Sequence, residues 1–239
     1  MKKTGEGKYL RDDLKNYSNK KFERPSVTTD IAICSIINDD LCVLLIKRKF
    51  PPFRDCWALP GGFVDLPRKE SLEQTAAREL YEETHIKGIF FEQLKTYGDP
   101  DRDPRMRIIT VAYFALLPYD MVVKVKAGDD AKECQWFPLR ILPENIAFDH
   151  KGILTDVLNR IVGKLSYTPI AFHLLPNKFT WTQLQRVYEV IMGEELQAPN
   201  FRREIKRQFS FLEIRDIPSH QGLGRKPVYL IFLKAKKKL

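Results

Sequence analysis

Cysteine is scarce in this chain of 239 residues: Cys34, Cys42, Cys56 and Cys134 are the only four, and no two stand at C-x-x-C spacing. This argues against a disulfide framework or a structural zinc site and favours a reducing cytoplasm. Histidine is equally sparse, and His85, His150, His173 and His220 are too scattered to pair as metal ligands. No apolar run approaches the roughly 18 residues of a membrane span, so no membrane partner is expected. The opening stretch MKKTGEGKYLRDDLKNYSNKKFERP lacks the apolar centre of a secretory signal, and residues 1–27 are expected to form a polar lead-in. Internal repeats and low-complexity tracts are also lacking. What remains, 44% hydrophobic and 30% charged residues, is the composition of an ordinary globular protein with one large domain or two smaller ones.

Charge is not lacking, but it is uneven. The net charge is +9, yet residues 167–239 hold 13 Lys and Arg against 6 Asp and Glu, while the earlier part is nearly balanced. The tail KAKKKL supplies only four of those 13 cations. A basic C-terminal part implies an anionic partner, nucleic acid before membrane.

The pattern along the chain changes at the same place. TDIAICSII and LCVLLIKRKF flank the polar NDD and predict a β-hairpin. CWALPGGFV reads as a strand entering a glycine turn. Ser71 and Gln74 form a capping box for a helix that runs to about Thr84. IFFEQLKTYG and RIITVAYFALL predict strands, CQWFPL a short one, and His150 to Leu165 a helix. Such an order suits a mixed sheet flanked by helices. Beyond it, TWTQLQRVYEVIMG places Trp181, Leu184, Tyr188 and Ile191 on one helical face, with Thr180 as N-cap and Gly193 as stop. Asn200 is expected to cap a second helix, and FLEIRDI and VYLIFLK to form a hairpin around residues 222–227. Helix, turn, helix and hairpin make a winged helix-turn-helix. The predicted fold class is α+β, with one domain over residues 28–166 and a second over 167–239.

The acidic helix poses the first chemical question. Glu79, Glu82 and Glu83 fall within an arc of roughly 100° beside the apolar stripe of Leu72, Ala76 and Leu80. Arg78 alone does not balance them. Carboxylates gathered this way repel one another unless a hard cation such as Mg²⁺ (or Mn²⁺) joins them. A bare R-E-x-x-E-E string is usually a solvated helix, but here the surroundings are specific. Gly62, Glu70, Arg78, Glu79, Leu80, Glu82, Glu83 and Ile86 resemble the Nudix box, G-x5-E-x7-R-E-U-x-E-E-x-G-U with U aliphatic. Two departures stand out: seven residues rather than five separate Gly62 from Glu70, and His85 replaces the last glycine.

The resemblance implies an α/β/α sandwich whose box glutamates, Glu79, Glu82 and Glu83, bind divalent metal. It also implies hydrolysis of a nucleoside diphosphate linked to another moiety, with Arg78 orienting the acids. The general base would be one of these glutamates or Asp129, Asp130 or Glu133. Arg102 and Arg105 in YGDPDRDPRMR each carry a planar fork suited to phosphate. That loop, with AFDH at 147–150, resembles the ADP-ribose-type branch of the Nudix family, so ADP-ribose or a related nucleoside diphosphate sugar is the implied ligand.

NFRREIKRQF buries Phe201, Ile205 and Phe209 on one side and turns Arg202, Arg203, Lys206 and Arg207 to the other. Such a helix suits the major groove of double-stranded DNA, with Asn200 at its start and Arg225 and Lys226 on the wing reaching the backbone. The stretch FHLLPNKFTWTQLQRVYEVIMGEELQAPNFRREI resembles the C-terminal half of Nudix-related transcription regulators of the NrtR type. In that family the Nudix domain senses a ligand and the winged helix binds operator DNA as a homodimer. A non-catalytic sensor, or a hydrolase whose second domain serves oligomerisation, are the alternatives that the residues leave open.

Overall fold

Asn38 and Asp39 both take positive φ (49° and 63°) and fold the chain back on itself in two residues. Asn and Asp tolerate this left-handed region, which matches the twist of a tight hairpin. The turn joins β1 (Ser26–Ile37) to β2 (Asp40–Arg48) in antiparallel register, Ile37 opposite Asp40. The predicted hairpin is therefore present. The structure is a computed structural model that describes residues 24–85, 87–124, 131–209, 217–218 and 228–231.

Seven described strands form one mixed sheet around β1. β3 (Trp57–Ala58) and β7 (Ala131–Pro138) pair with β2, and β4 (Gly61–Phe63) pairs antiparallel with the start of β1. β6 (Ile108–Leu116) runs parallel to β1 on its other side, and β5 (Phe90–Tyr97) closes that edge. CWALPGGFV is thus two short strands rather than one, because β3 and β4 join different neighbours. Alternation along β1 sorts the core into two layers. Ile31 and Ile33 pack with Ala76 and Leu80 of α1 (Leu72–Thr84). Ala32 and Cys34 face the side of Ile153, Val157 and Ile161 of α2 (His150–Lys164). The result is the α/β/α sandwich.

Both ends of α1 bear on function. Ser71 and Gln74 form the reciprocal capping box, with Gln74 Oε1 accepting from the Ser71 amide at 2.8 Å. His85 ends the helix at φ 56°, the left-handed conformation in which the box motif carries glycine.

A second, three-stranded antiparallel sheet is ordered β8 (Lys178–Thr180), β10 (Val228–Ile231), β9 (Ile217–Pro218). Thr180 caps α3 (Trp181–Met192) through a box with Gln183, and Gly193 ends it at φ 78°. The next helix, α4 (Ala198–Gln208), corrects one expectation: Gln197, not Asn200, is the N-cap. Pro199 lies in the first turn, where its missing N–H costs nothing, so the helix begins earlier and Asn200 lies within it. There Asn200 Oδ1 accepts from Arg203 at 3.0 Å.

The two sheets share one hydrophobic cluster, from Ala32 and Leu45 through Ile153 to Phe179, Leu184 and Phe201. Polar contacts reinforce it. Arg186 of α3 meets Asp39 of the β1–β2 turn at 2.8 Å, and Gln183 donates to the Tyr119 hydroxyl at 2.7 Å. Among the described residues no helix is long and apolar enough to cross a membrane.

Candidate functional site

Arg78 is the hub of the acidic cluster. Its Nε lies 3.1 Å from Glu70, and its Nη1 donates to Glu79 at 2.8 Å and to Glu82 at 3.1 Å. Burial alone would lower the pKa of this guanidinium. The hydrogen bonds to Glu70 and Glu79 and the charges of Glu79 and Glu82 outweigh that and raise it. Arginine suits the place because its fork holds several carboxylate oxygens in one plane. The two extra residues before Glu70 do not take it out of reach of Arg78.

The double glycine shapes the mouth of a cleft of about 420 Å³ beside this cluster, lined in part by Glu79, Glu82 and Arg78. A Cβ on Gly62 would stand 2.6 Å from Glu79 Oε1, and one on Gly61 would stand 2.2 Å from the Thr29 carbonyl oxygen. Both lie inside contact distance: at Gly61 the neighbour is backbone, so only glycine lets β4 lie this close to β1, and at Gly62 it is the movable end of Glu79.

The rest of the lining comes from distant segments, Thr28 and Asp30 from one, Arg102 and Arg105 from a second, Ile108 from a third, and Phe148 and His150 from a fourth. Arg102 is buried, and its Nε and Nη2 are held by Asp149 at 2.9 and 2.7 Å. Asp149 precedes α2 as its N-cap yet makes no capping bond, since its carboxylate serves Arg102 instead. Arg105 is gripped by Asp103 through Nε (3.0 Å) and Nη2 (2.7 Å). Burial opposes the charge on Asp103, but the Arg105 side chain and amide hold its carboxyl below the ordinary carboxylate range. The forks offered to phosphate by the sequence are thus engaged within the protein, and Arg105, at 37% side-chain exposure, is the accessible one. Its guanidinium lies 5.5 Å from the Phe63 ring and 5.9 Å from that of Phe148. Phe148 holds φ 56°, a strained conformation for a bulky side chain, and its ring packs edge-on against Phe53 at 4.8 Å. His150 is buried, accepts from the Leu59 amide at Nδ1 (2.9 Å), and has its pKa lowered chiefly by that burial.

Glu133 does not join the cleft. It lies on β7, beside β2, and pairs with Lys47 at 3.3 Å. Thr28, Asp30, Phe63, Asp103, Ile108, Phe148 and His150 line the cleft though none of them was a predicted site residue, and Asp149 supports it through Arg102. AFDH contained three of them, but nothing in their spacing revealed that they converge. The Glu83 side chain, Ile86, Asp129, Asp130, Arg225 and Lys226 lie outside the described residues. Glu79 and Glu82 supply hard carboxylate oxygens to one polar cleft, which fits part of a divalent-cation site. Among the described residues no three His, Cys, Asp or Glu side chains are grouped to hold a metal ion.

On α4, Phe201, Ile205 and the following Phe209 are buried, whereas Arg202, Arg203, Lys206 and Arg207 are exposed. Arg202 and Lys206 both lie over the Trp181 ring, at 6.0 and 5.7 Å. Arg207 is paired with Glu204 through both nitrogens of its fork.

Comparisons with known proteins bear on both parts of the chain. A family model of the NUDIX domain matches residues 28–157, and one of the NrtR DNA-binding winged helix domain matches residues 171–229. The chain is 37% identical over 218 residues to the ADPR responsive transcriptional repressor NtrR of Acinetobacter baylyi, covering 91% of this chain and 85% of that protein. Over 147 residues it is 42% identical to the ADP-ribose pyrophosphatase of Methanocaldococcus jannaschii, covering 61% of this chain and 79% of that one. Shewanella oneidensis NrtR complexed with a 27mer DNA superposes with a TM-score of 0.75 at 32% identity, covering 87% of this chain and 93% of that one.

Proposed function

Because this chain belongs to the Nudix family, with an NrtR-type winged helix following its Nudix domain, we propose that it is a transcriptional regulator responsive to ADP-ribose or a related nucleoside diphosphate sugar. The ligand occupies the cleft, α4 and the wing meet operator DNA, and the protein works as a homodimer in the cytoplasm. We place the domain boundary near residue 166.

The observation that carries the reading is the mixed lining of the cleft. Glu79 and Glu82, both held by Arg78, line it together with Arg105 and its two aromatic neighbours. A diphosphate between two glycosyl groups needs both: metal carboxylates at the phosphates and cationic and aromatic contacts around them. A divalent cation, Mg²⁺ or Mn²⁺, held by Glu79, Glu82 and Glu83 would neutralise the diphosphate and acidify a bound water. Arg78 positions those carboxylates. Arg105 meets ligand charge with the fork that Asp103 pre-orients. The general base is one of the box glutamates or Asp129 or Asp130, since Glu133 pairs with Lys47 instead.

The box glutamates are all retained in the sequence, which supports hydrolysis as well as sensing. On α4, Arg203 and Arg207 stand farthest from the buried face and are suited to base edges, while Arg202 and Lys206 flank them toward phosphate. The test has two arms. Release of AMP from ADP-ribose with Mg²⁺ is measured for wild type and Glu82→Gln, and operator binding is titrated by gel shift with and without ADP-ribose. Turnover lost in the variant supports the enzyme. Operator affinity that no nucleoside diphosphate sugar changes refutes the regulator.

A further inference from the structure

Asp30 is 8% exposed at the floor of the cleft, and its hydrogen bonding is incomplete. β4 crosses it in antiparallel register, with Gly61 opposite Asp30. A Cβ at residue 61 would stand 2.9 Å from Asp30 Oδ1, so glycine there leaves the carboxylate unobstructed. Arg102 Nη2, committed to Asp149, is 3.6 Å from Asp30 Oδ2, beyond hydrogen-bond range. Oδ2 is buried with no hydrogen-bond partner among the described residues. That oxygen is enclosed, so a ligand donor meets Oδ1, the oxygen that lies beside Gly61 and His150.

His150 stands beside it with the opposite hydrogen-bonding character. Because the Leu59 amide donates to Nδ1, that nitrogen carries no proton, and the ring proton belongs to Nε2. Nε2 lies 3.7 Å from Asp30 Oδ1, too far for a direct bond. An oxygen placed about 2.8 Å from each atom fits across that gap. It must accept from N–H and donate to a carboxylate, and a hydroxyl does both. A phosphate oxygen only accepts, and its charge would be set against that of Asp30.

We infer that Asp30 and His150 form a sugar-hydroxyl subsite, Asp30 accepting and His150 Nε2–H donating, whose ligand class is the vicinal diol of a ribose in a nucleoside diphosphate sugar; this rests on the reading of the cleft given above. The diol belongs to the nucleoside ribose or to the ribose beyond the diphosphate. A sugar phosphorylated at that diol is rejected.

The experiment is isothermal titration with Mg²⁺ present and the diphosphate of every ligand bridged by a methylene group, so that the cation is kept and turnover consumes nothing. Full-length wild type and Asp30→Asn receive ADP-ribose, the analogue with a 2′,3′-dideoxy adenosine ribose, and the analogue whose terminal ribose lacks its vicinal diol. Asp30→Asn is expected to weaken ADP-ribose about 10- to 100-fold, the worth of one charge-assisted hydrogen bond. It should leave unchanged the analogue that lacks the recognised diol, and whichever analogue that is identifies the ribose. Equal affinity of wild type and folded Asp30→Asn for ADP-ribose overturns the proposal. If the variant does not fold, the wild type decides: a loss of similar size with one analogue supports the subsite, and no loss with either overturns it. A wild type that binds no ADP-ribose refutes the underlying reading of the cleft and takes the subsite with it.

Discussion

Gly62→Ala adds a single methyl group, and the structure says where it goes. The new Cβ would stand 2.6 Å from Glu79 Oε1 and 3.1 Å from Glu79 Cδ. A carbon–oxygen contact settles no closer than about 3.3 Å, so the oxygen must retreat by roughly 0.7 Å. Glu79 is the end of a side chain and can move, so the fold should survive with a stability change of about 1 kcal/mol or less. In the role proposed for Glu79, however, the Arg78–Glu79 bond of 2.8 Å holds that oxygen for the metal ion. Displacement of a metal carboxylate by this amount should then cost about 10- to 100-fold in rate, a misplacement of about 1 Å being worth about 10²-fold. The assay is kcat/KM for AMP release from ADP-ribose, with Mn²⁺ affinity by titration as a second readout and urea denaturation as the control for folding. Turnover and Mn²⁺ affinity within twofold of wild type in a folded Gly62→Ala would refute the role given to Glu79.

Three further outcomes follow from the same geometry. Arg78→Ala leaves Glu70 and Glu79 largely buried without their shared donor, and urea melts should show a loss of about 2–3 kcal/mol, with Arg78→Lys recovering little because an ammonium cannot serve several oxygens in one plane. His150, its pKa held below the ordinary histidine value of about 6.5 chiefly by burial, should make the protein acid-labile. Below 6.5 the unfolded chain takes a proton that the folded ring refuses, so this contribution is complete above 6.5 and shrinks as pH falls toward the folded pKa. The slope from this one group is at most about 1.4 kcal/mol per pH unit, and urea midpoints at pH 7.5 and 5.5 should converge in His150→Gln. Finally, Arg202→Ala and Lys206→Ala should each lower the slope of log affinity for operator DNA against log salt by about 1, read by fluorescence anisotropy. An unchanged slope would remove these cations from the DNA contact.

The contacts between the two halves bear on how ligand binding reaches DNA. β1 carries Asp30 near one end and leads at the other into the turn where Asp39 meets Arg186 of α3. Strand, turn and helix are continuous with the shared core. A ligand-induced shift of β1 therefore has a packed route to the helix that braces α4, though only a difference in ligand affinity between two states would drive it.

Much of this protein was decided locally and could be read from spacing alone. Ser71 with Gln74 and Thr180 with Gln183 cap helices because a capping box closes within four residues. The acids of α1 share one arc, and the cations of α4 lie off its buried side, because a helix repeats every 3.6 residues. Local reading erred at Asn200, where Pro199 had already begun the helix, and it missed β8, three residues that gain their identity by pairing with β10. The cleft is different in kind. Asp30, Gly61, Arg102 and His150 are brought together by strand register, β4 against β1 and β1 against β6, and by α2 packing beneath the sheet. Register over such separations depends on which faces of all the strands are buried at once, and no short stretch of sequence contains that. The same global choice directed Glu133 to Lys47 and the fork of Arg102 to Asp149, whereas Arg105 found Asp103 two residues away. The sequence by itself determined which chemical groups the protein carries and on which helices. Only the tertiary structure decided which of them share a cleft, because their partners lie far along the chain.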